Sequence, residues 1–321
     1  DERDLGGRGN VPFIADINNQ YTNPNFTTPS GQIDIFTDDF KYPQVFRMNL
    51  GFDKQFANGW ETTLEGIFTK TLNNVNYTNI NSNPTVDFTW TGGPDDRPVY
   101  NRNSIDPTYS AIYVGSNTSE GSGYNLTASA EKNWSNGLGF YIALTHGDSK
   151  SLNDGQSSQN SSQWRGTINT DGRNNPIFGR SDFSAGSRII STINYNLKWG
   201  GSDNTTTQFS LFFNGQAGQA FSYIYGNRDA RNLNNETGST SRNRSLIYVP
   251  ASASDINLID FTSGGNTITA AQQWTDLNNY IDSDNGLKDT RGEYAEKNGS
   301  RAPFTGIFDF ALRQNFGKNF G

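Results

Sequence analysis

The sequence of 321 residues lacks cysteine altogether and contains one histidine and one methionine. Without cysteine, disulfide bonds and thiolate metal sites are excluded. The single histidine, His146, cannot form a metal site that needs two histidine ligands, and the sequence has no GxSxG, P-loop or HExxH motif. We therefore expect neither enzymatic activity nor a cofactor, and we interpret His146 as a residue at the rim of a loop.

Basic clusters and long apolar runs are also missing from the sequence. The net charge is -7 and no basic patch is present, which argues against a nucleic-acid partner. No apolar stretch reaches the length of a transmembrane helix. The opening residues, Asp1 to Asp4, cannot belong to a signal peptide. We therefore expect that a signal was removed or that the chain is a piece of a longer polypeptide.

What the sequence does contain is aromatic residues and a strict alternation of polarity. Aromatic residues make up 13% of the chain although all hydrophobic residues reach only 32%, a combination that is not typical of disorder. An apolar residue at every second position indicates a strand with one apolar and one polar face. These apolar positions are Phe46, Met48, Leu50 and Phe52; Tyr124, Leu126, Ala128 and Ala130; Leu138, Phe140, Ile142 and Leu144; and Ile189, Ile193, Tyr195, Leu197 and Trp199.

The pattern predicts seven long strands whose connections differ greatly in length. The strands are expected at residues 45–56, 60–70, 122–134, 138–147, 188–199, 205–216 and 305–316. Short turns at Ala57 to Gly59, Ser135 to Gly137, Gly200 to Asn204 and Gly317 to Asn319 alternate with long loops, the largest at about 217–303. Short turns at one rim and long loops at the other are typical of an outer-membrane β-barrel.

Aromatic residues at the ends of the predicted strands support a membrane location. A girdle of amphipathic rings is expected at the level of the lipid headgroups. Six rings lie at or near the short-turn ends: Phe56, Trp60, Trp134, Phe140, Trp199 and Phe316. Lys54 and Lys132 occupy apolar-face positions near the same ends, where a long side chain can reach the interface.

Two further elements are predicted within the largest loop. The alternating segment around Phe221 to Tyr225 and a short run from Ser245 to Val249 would extend a hairpin above the membrane. Apolar residues at spacings of three and four between Ala270 and Ile281 predict a short amphipathic helix that caps or lines the mouth of the barrel.

The odd strand number indicates that residues 1–321 form only part of a barrel. A single-chain bacterial barrel has an even number of antiparallel strands, and an unpaired edge in lipid leaves backbone groups unsatisfied. The remaining strands must therefore come from missing sequence or from another chain.

Several segments resemble the TonB-dependent outer-membrane receptors, specifically the Oar-like branch that carries a carboxypeptidase-regulatory-like domain. They are Asn10 to Asn19 (NVPFIADINN), Phe40 to Leu50 (FKYPQVFRMNL), Trp60 to Lys70 (WETTLEGIFTK) and Arg291 to Phe304 (RGEYAEKNGSRAPF). The resemblance is patchy within the loops but extends along the chain from residue 10 to residue 316. The Pro-Phe-Ile-Ala-Asp and Arg-Ala-Pro-Phe segments are its most specific parts.

This resemblance implies a barrel of about 22 strands filled by an N-terminal plug domain. It also implies import of a bulky nutrient across the bacterial outer membrane, driven through TonB. The plug, the TonB box and the regulatory-like domain are not found in the sequence, and no last strand with a terminal aromatic residue follows. We therefore interpret the chain as the C-terminal part of such a receptor, short of its final strands.

Three groups of residues are candidates for function. Acidic residues near Gly286 are weak calcium candidates, namely Asp282, Asp284 and Asp289, although the EF-hand spacing is not met. Loop aromatic residues are candidates for ligand contact: Trp90, Tyr109, Trp164, Trp274 and Tyr280. Polar-face residues are expected to line the lumen and to hydrogen-bond the plug: Arg47, Asp53, Glu61, Glu65, Glu131, Asp309 and Arg313. A generic hydrated wall explains the last group equally well.

Two other classes of function remain open at the level of sequence. The barrel could be a structural subunit of an outer-membrane assembly or export complex, with loops that bind a partner such as an outer-membrane lipoprotein. The alternation also fits a soluble β-sandwich, such as a glycan-binding module or a glycan-active enzyme, because one face of a sandwich strand is polar too.

Overall fold

The computed structural model describes residues 15–19, 31–155, 157–201, 205–226, 233–236 and 244–316. Its strands are β1 (Gln32–Phe36), β2 (Gln44–Gln55), β3 (Trp60–Asn79), β4 (Val86–Thr89), β5 (Pro98–Tyr100), β6 (Ala111–Thr118), β7 (Gly121–Asn133), β8 (Leu138–Ser151), β9 (Gly179–Arg180), β10 (Gly186–Lys198), β11 (Thr206–Gln216), β12 (Ala220–Phe221), β13 (Phe261–Ser263), β14 (Asn266–Ile268), β15 (Ser300–Arg301) and β16 (Thr305–Asn315). Its α-helices are α1 (Asn160–Arg165), α2 (Ala270–Ser283) and α3 (Asn285–Lys288). Short 3₁₀ turns lie at Trp199–Gly201 and Ala253–Asp255.

Seven long strands form one antiparallel sheet in which each strand pairs with the next long strand along the chain. The order is β2, β3, β7, β8, β10, β11, β16. All seven predicted strands are confirmed. The largest differences from the predicted bounds are at the ends facing the long loops, where β3 continues to Asn79 and β8 to Ser151.

The strand register sorts the side chains onto two faces with different chemistry. Directly paired residues point to the same side of a sheet, and successive residues alternate. One row of paired residues is Phe52, Leu64, Ala128, Leu144, Ile189 and Gly215, and we call this side the apolar face. A row on the other side is Gln55, Glu61, Glu131, Tyr141, Thr192, Phe212 and Asp309, and we call this side the polar face.

Two short turns depend on glycine. Gly59 has φ of 82° and Gly137 has φ of 89°, a left-handed conformation that favours glycine. The amide of Gly59 donates to the Phe56 carbonyl at 2.9 Å, and that of Gly137 donates to the Trp134 carbonyl at 3.1 Å. Of the predicted turn from Gly200 to Asn204, residues 202–204 lie outside the described residues, and so does the whole predicted turn at 317–319.

The long connections fold into an ordered unit, which we call the loop assembly and which comprises the described parts of residues 71–121, 150–186 and 217–303. The prediction of one long loop at 71–121 was wrong in part, because the upper half of β3 pairs with β6, and β1 adds to β6 in parallel. Helix α2 confirms the predicted helix. Tyr223 and Tyr225 hydrogen-bond to the backbone of Ser245 and Ile247, as the predicted hairpin extension requires.

Two small apolar clusters form the interior of the loop assembly. Val249, Ile281, Leu287 and Ala295 make the first, and Ala111, Tyr113 and Trp164 make the second. Among the described residues, no helix is both long enough and apolar enough to cross a membrane.

Candidate functional site: the polar face and the loop assembly

The polar face brings together the seven charged residues that the sequence predicts there. The register places Arg47, Asp53, Glu61, Glu65, Glu131, Asp309 and Arg313 on this side of the sheet. Several of them contact neighbouring strands. The Thr63 hydroxyl donates to Asp53 Oδ1 at 2.6 Å, and Gln55 Nε2 donates to Glu61 Oε1 at 2.9 Å.

Charge is unevenly distributed over the polar face. Glu61 of β3 lies directly opposite Glu131 of β7, and Glu65 lies on the same face four residues further along β3. Like charges directly opposite each other destabilise a strand pair unless water or a cation screens them. The basic residues Arg47 and Arg188 lie nearer the long loops. The half of β2, β3 and β7 near the short turns is therefore an acidic wall.

No other part of the described structure covers the apolar face. Leu50 is 75% exposed and Phe308 is 69% exposed, and neither packs under a second sheet. A sandwich would bury these side chains between two sheets. The soluble β-sandwich alternative is therefore wrong.

Aromatic rings cluster at the short-turn end of this face. The ring centre of Trp60 lies 5.9 Å from that of Trp134 and 6.2 Å from that of Phe140. Lys132 Nζ lies 5.7 Å from the Trp60 ring centre and 5.1 Å from that of Trp134. A cation above aromatic rings is the arrangement expected where a sheet meets an aqueous interface.

A buried arginine links two segments of the loop assembly. Arg97 is fully buried, and its guanidinium binds both carboxylate oxygens of Asp95, at 2.9 and 3.0 Å, and the Leu246 carbonyl at 2.9 Å. Tyr225 and Tyr294 also donate to Asp95. Burial and the hydrogen bond to Asp95 raise the pKa of Tyr294 above its ordinary value, so this hydroxyl stays protonated as a donor.

A buried ion pair connects two other segments of the assembly. Lys297 Nζ lies 3.5 Å from Asp154 Oδ2, and both side chains are almost fully buried. Burial raises the pKa of Asp154, but hydrogen bonds from Ser151 and Ser181 and the charge of Lys297 outweigh it and leave the pKa below its ordinary value. Burial lowers the pKa of Lys297, and Asp154 opposes this shift.

The predicted ligand-contact aromatic residues do not form one site. Trp164 was wrongly assigned: it is fully buried against Tyr113, and its ring N–H donates to Asn174 Oδ1 at 2.7 Å. Trp90 lies against Arg97. Tyr280 is 53% exposed and shares a 2.8 Å hydrogen bond with the Tyr223 hydroxyl.

Three of the five aromatic candidates have only partly exposed positions, and Trp90 is one of them. Trp274 is half-buried on α2, and Tyr109 is half-buried in the loop that precedes β6. Their contact with a ligand remains a prediction.

The structure does not bring the three calcium candidates together. Asp282 pairs with Arg291 at 2.8 Å, and Asp284 caps α3 by accepting the Leu287 amide at 3.1 Å. Asp289 follows α3 and is exposed. Among the described residues, no group of three or more acidic or histidine side chains could hold a metal ion.

His146 is also placed differently from the prediction. It lies within β8 on the apolar face, because the strand continues past residue 147, and its Nδ1 is 2.9 Å from the Ser187 hydroxyl.

A family model described as "Outer membrane beta barrel domain" matches residues 6–320. The chain belongs to this family. Its seven-stranded sheet is thus part of an antiparallel transmembrane β-barrel in the bacterial outer membrane, with the apolar face toward lipid and the polar face toward the lumen. No curated protein and no solved structure matches the chain.

Sequence reasoning missed the residues that organise the extracellular side of this outer-membrane barrel. Arg97, Asp95 and Tyr294 are separated by up to 199 positions in sequence, so no local pattern connects them. Lys70 and Lys150, by contrast, occupy apolar-face positions that alternation identifies. Lys70 is the last residue of the predicted strand 60–70, and extending the alternation of β8 beyond residue 147 would have found Lys150.

Proposed function

We propose that this barrel domain belongs to a TonB-dependent transporter that imports a bulky nutrient. In this proposal the loop assembly captures the ligand at the cell surface. A plug domain of the full-length protein fills the lumen, and TonB moves the plug to admit the ligand. The barrel performs no covalent chemistry.

The single observation that carries the proposal is the charged polar face. The polar face continues across all seven strands, although β8 and β11 contribute no charged residue to it. Its acidic part, on β2, β3 and β7, includes Glu61 opposite Glu131. A narrow barrel fills its interior with packed side chains, whereas a large barrel encloses water or a plug. Two carboxylates that face each other are unfavourable in a dry, packed core. They are favourable where lumen water hydrates them or where basic residues of a plug pair with them.

The order of the loop assembly supports capture at the mouth of the barrel. Its two apolar clusters and the buried Arg97 and Lys297 give the loops a defined shape. Recognition in proteins is commonly carried by loops that a rigid scaffold positions. Of the contact candidates, Tyr280 is largely exposed, and Trp90, Tyr109 and Trp274 are partly exposed.

The decisive experiment compares nutrient uptake in three strains: one with the full-length gene, one without it, and one that carries it but lacks TonB. We expect at least one bulky nutrient whose uptake requires both the gene and TonB. Uptake that continues without TonB, or a full-length protein that TonB does not bind, would contradict the proposal.

The lumen role can be tested with a triple variant, Glu61→Gln, Glu65→Gln and Glu131→Gln. If the acidic wall holds the plug, we expect the plug to dissociate more readily and the pore to conduct more current in planar bilayers. The control is Gln208→Glu, which adds a charge elsewhere on the polar face and should leave the conductance unchanged. Equal conductance of the triple variant and the wild type would show that the acidic wall does not hold the plug and is only a generic hydrated surface.

A second candidate is a structural subunit that binds a partner such as an outer-membrane lipoprotein. One observation favours it: Ile259 and Phe261, at the base of the β13–β14 hairpin, are 71% and 46% exposed. Paired apolar side chains on an extracellular surface suit a protein contact. Stoichiometric co-purification that Ile259→Ser and Phe261→Ser abolish, with no TonB-dependent uptake, would select this function instead.

A further inference from the structure

Three cations lie in one row at the upper edge of the apolar face, the side that faces lipid. The register pairs Lys70 of β3 with Ser122 of β7, Ser122 with Lys150 of β8, and Lys150 with Arg180 of β9. Neighbouring strands are about 4.8 Å apart, so the two lysine backbones are separated by roughly 10 Å with a hydroxyl between them. Lys70, Ser122 and Lys150 are all exposed.

The position of this row along the strands matches a membrane boundary. Ser122 lies ten residues from Lys132, which belongs to the aromatic cluster at the short-turn end. Ten strand residues extend about 33 Å, and a tilt of about 40° reduces this to a height of about 25 Å. The apolar band of such barrels is also about 25 Å tall. The cationic row therefore lies at the headgroup level of the extracellular leaflet.

An apolar groove descends from this row on the same face. It has a volume of about 670 Å³, and small residues at Gly66 and Ala128 form its floor between Leu50, Phe68 and Leu144. A second depression of about 320 Å³ adjoins it at Phe68 and reaches Ser122 and Lys150. An elongated apolar ligand with a polar head would fit both depressions.

Charge also distinguishes the upper end of the groove from its surroundings. Arg180 and Arg301 approach Asp148 at 3.2 and 3.9 Å, so this acid is already shared by two cations. Lys70 Nζ donates to the Ser119 carbonyl at 2.9 Å and has two further protons to donate. Glu120 lies on the adjacent turn. Four cations against two carboxylates leave this site positive in a protein whose net charge is -7.

We infer that this site binds one phosphorylated glycolipid of the outer leaflet, with a phosphate between Lys70 and Lys150 and an acyl chain over Gly66 and Ala128. The outer leaflet of the bacterial outer membrane consists largely of such glycolipids. Lysine side chains bind phosphate as point charges, and the apolar groove binds the acyl chain without any polar partner. The bound lipid would fix the barrel's height in the membrane beneath the loop assembly.

The test is to isolate the full-length protein from outer membranes in detergent and to count retained lipids by native mass spectrometry. We expect one phosphorylated glycolipid per barrel in the wild type. The variant K70Q/K150Q should retain it roughly 30-fold less strongly, since each surface lysine contributes about fivefold to anionic lipid binding. Ala128→Phe, which fills the groove floor, should also reduce retention while leaving the cations intact.

Matched controls separate this site from unspecific lipid contact. Lys54→Gln removes a lysine from the short-turn end of the same face, and Ser191→Phe adds a ring outside the groove. Both should retain the lipid as the wild type does. Heat-dependent gel mobility verifies that each variant folds. Undiminished retention in K70Q/K150Q, equal losses in the controls, or preference for a dephosphorylated glycolipid or a glycerophospholipid would each overturn the inference.

Discussion

The guanidinium of Arg97 is fully buried and is shared between two segments of the loop assembly. It lies 4.9 Å from the Tyr225 ring centre and 5.2 Å from that of Tyr294, in addition to its ion pair with Asp95. Arginine stacks on rings and binds a carboxylate through two parallel hydrogen bonds, and lysine cannot reproduce this geometry. A single residue therefore connects the segment before β5 with Tyr225, Leu246 and Tyr294.

We predict that Arg97→Lys lowers the free energy of opening this region by about 3 kcal/mol, because Asp95 loses its paired hydrogen bonds inside the protein. Hydrogen exchange at the amides of Tyr225 and Ile247, which bond to Ser245 and Tyr223, measures the effect. Arg291→Lys is the control, since its partner Asp282 is largely exposed and such pairs contribute under about 1 kcal/mol. Equal effects of the two substitutions would show that burial of Arg97 is unimportant.

The buried pair of Asp154 and Lys297 gives the loop assembly an acid dependence. The pKa of Asp154 in the folded protein is below its ordinary value, so its contribution to stability is present above about pH 4 and is lost as pH falls through the folded pKa. We predict that Asp154→Asn lowers stability by about 3 kcal/mol at neutral pH and removes this acid-dependent loss. Proteolysis of residues 150–186 between pH 7 and pH 3 measures both effects.

The control for this prediction is Asp87→Asn, at an exposed position of β4. It should retain the acid dependence and the neutral-pH stability of the wild type. An Asp154→Asn variant that still opens in acid would assign the dependence to other carboxylates.

At the scale of elements, the strands that cross the membrane were predictable, whereas most of the extracellular ones were not. Lipid requires an apolar residue at every second position, so the segment from Phe46 to Phe52 alternates without exception between apolar and polar residues. Above the membrane, β3 continues through Asn73 to Asn79, where neither face contacts lipid and the alternation disappears. Helix α2 was found because Leu277 and Ile281 pack on one apolar cluster with helical spacing.

Two neighbouring residues of β7 test the assignment of the faces. Ala128 and Ser129 lie close to the middle of the strand's membrane span but on opposite faces. We predict that Ala128→Arg destabilises the folded barrel by about 2–4 kcal/mol, whereas Ser129→Arg, in the hydrated lumen, is nearly neutral. Equilibrium unfolding in lipid vesicles, read from tryptophan fluorescence, compares them. A larger penalty at residue 129 would invert the two faces.

At the scale of the whole molecule, the sheet could be predicted from sequence but the arrangement of the loops could not. The polar-face residues follow directly from alternation, and all seven lie on one face of the sheet. Their contact with a plug stays a prediction. Trp164 illustrates the failure, since an aromatic residue in a polar loop looks exposed until Tyr113 and Arg173 are known to cover it. The hydrogen bond from Arg97 to Leu246 spans 149 positions, and only tertiary folding specifies it.

The two outer strands of the sheet lead to the last prediction. Among the described residues, β2 pairs only with β3, and β16 pairs only with β11. An unpaired backbone group costs several kcal/mol in lipid, so we expect both edges to pair with further strands in the membrane. We predict that in outer-membrane vesicles of the full-length protein the amides of β2 and β16 exchange as slowly as those of β7. The amides of the β13–β14 hairpin, which lies outside the membrane, should exchange much faster. If the amides of β2 or β16 exchange at that faster rate, the barrel is not closed by strands at these edges.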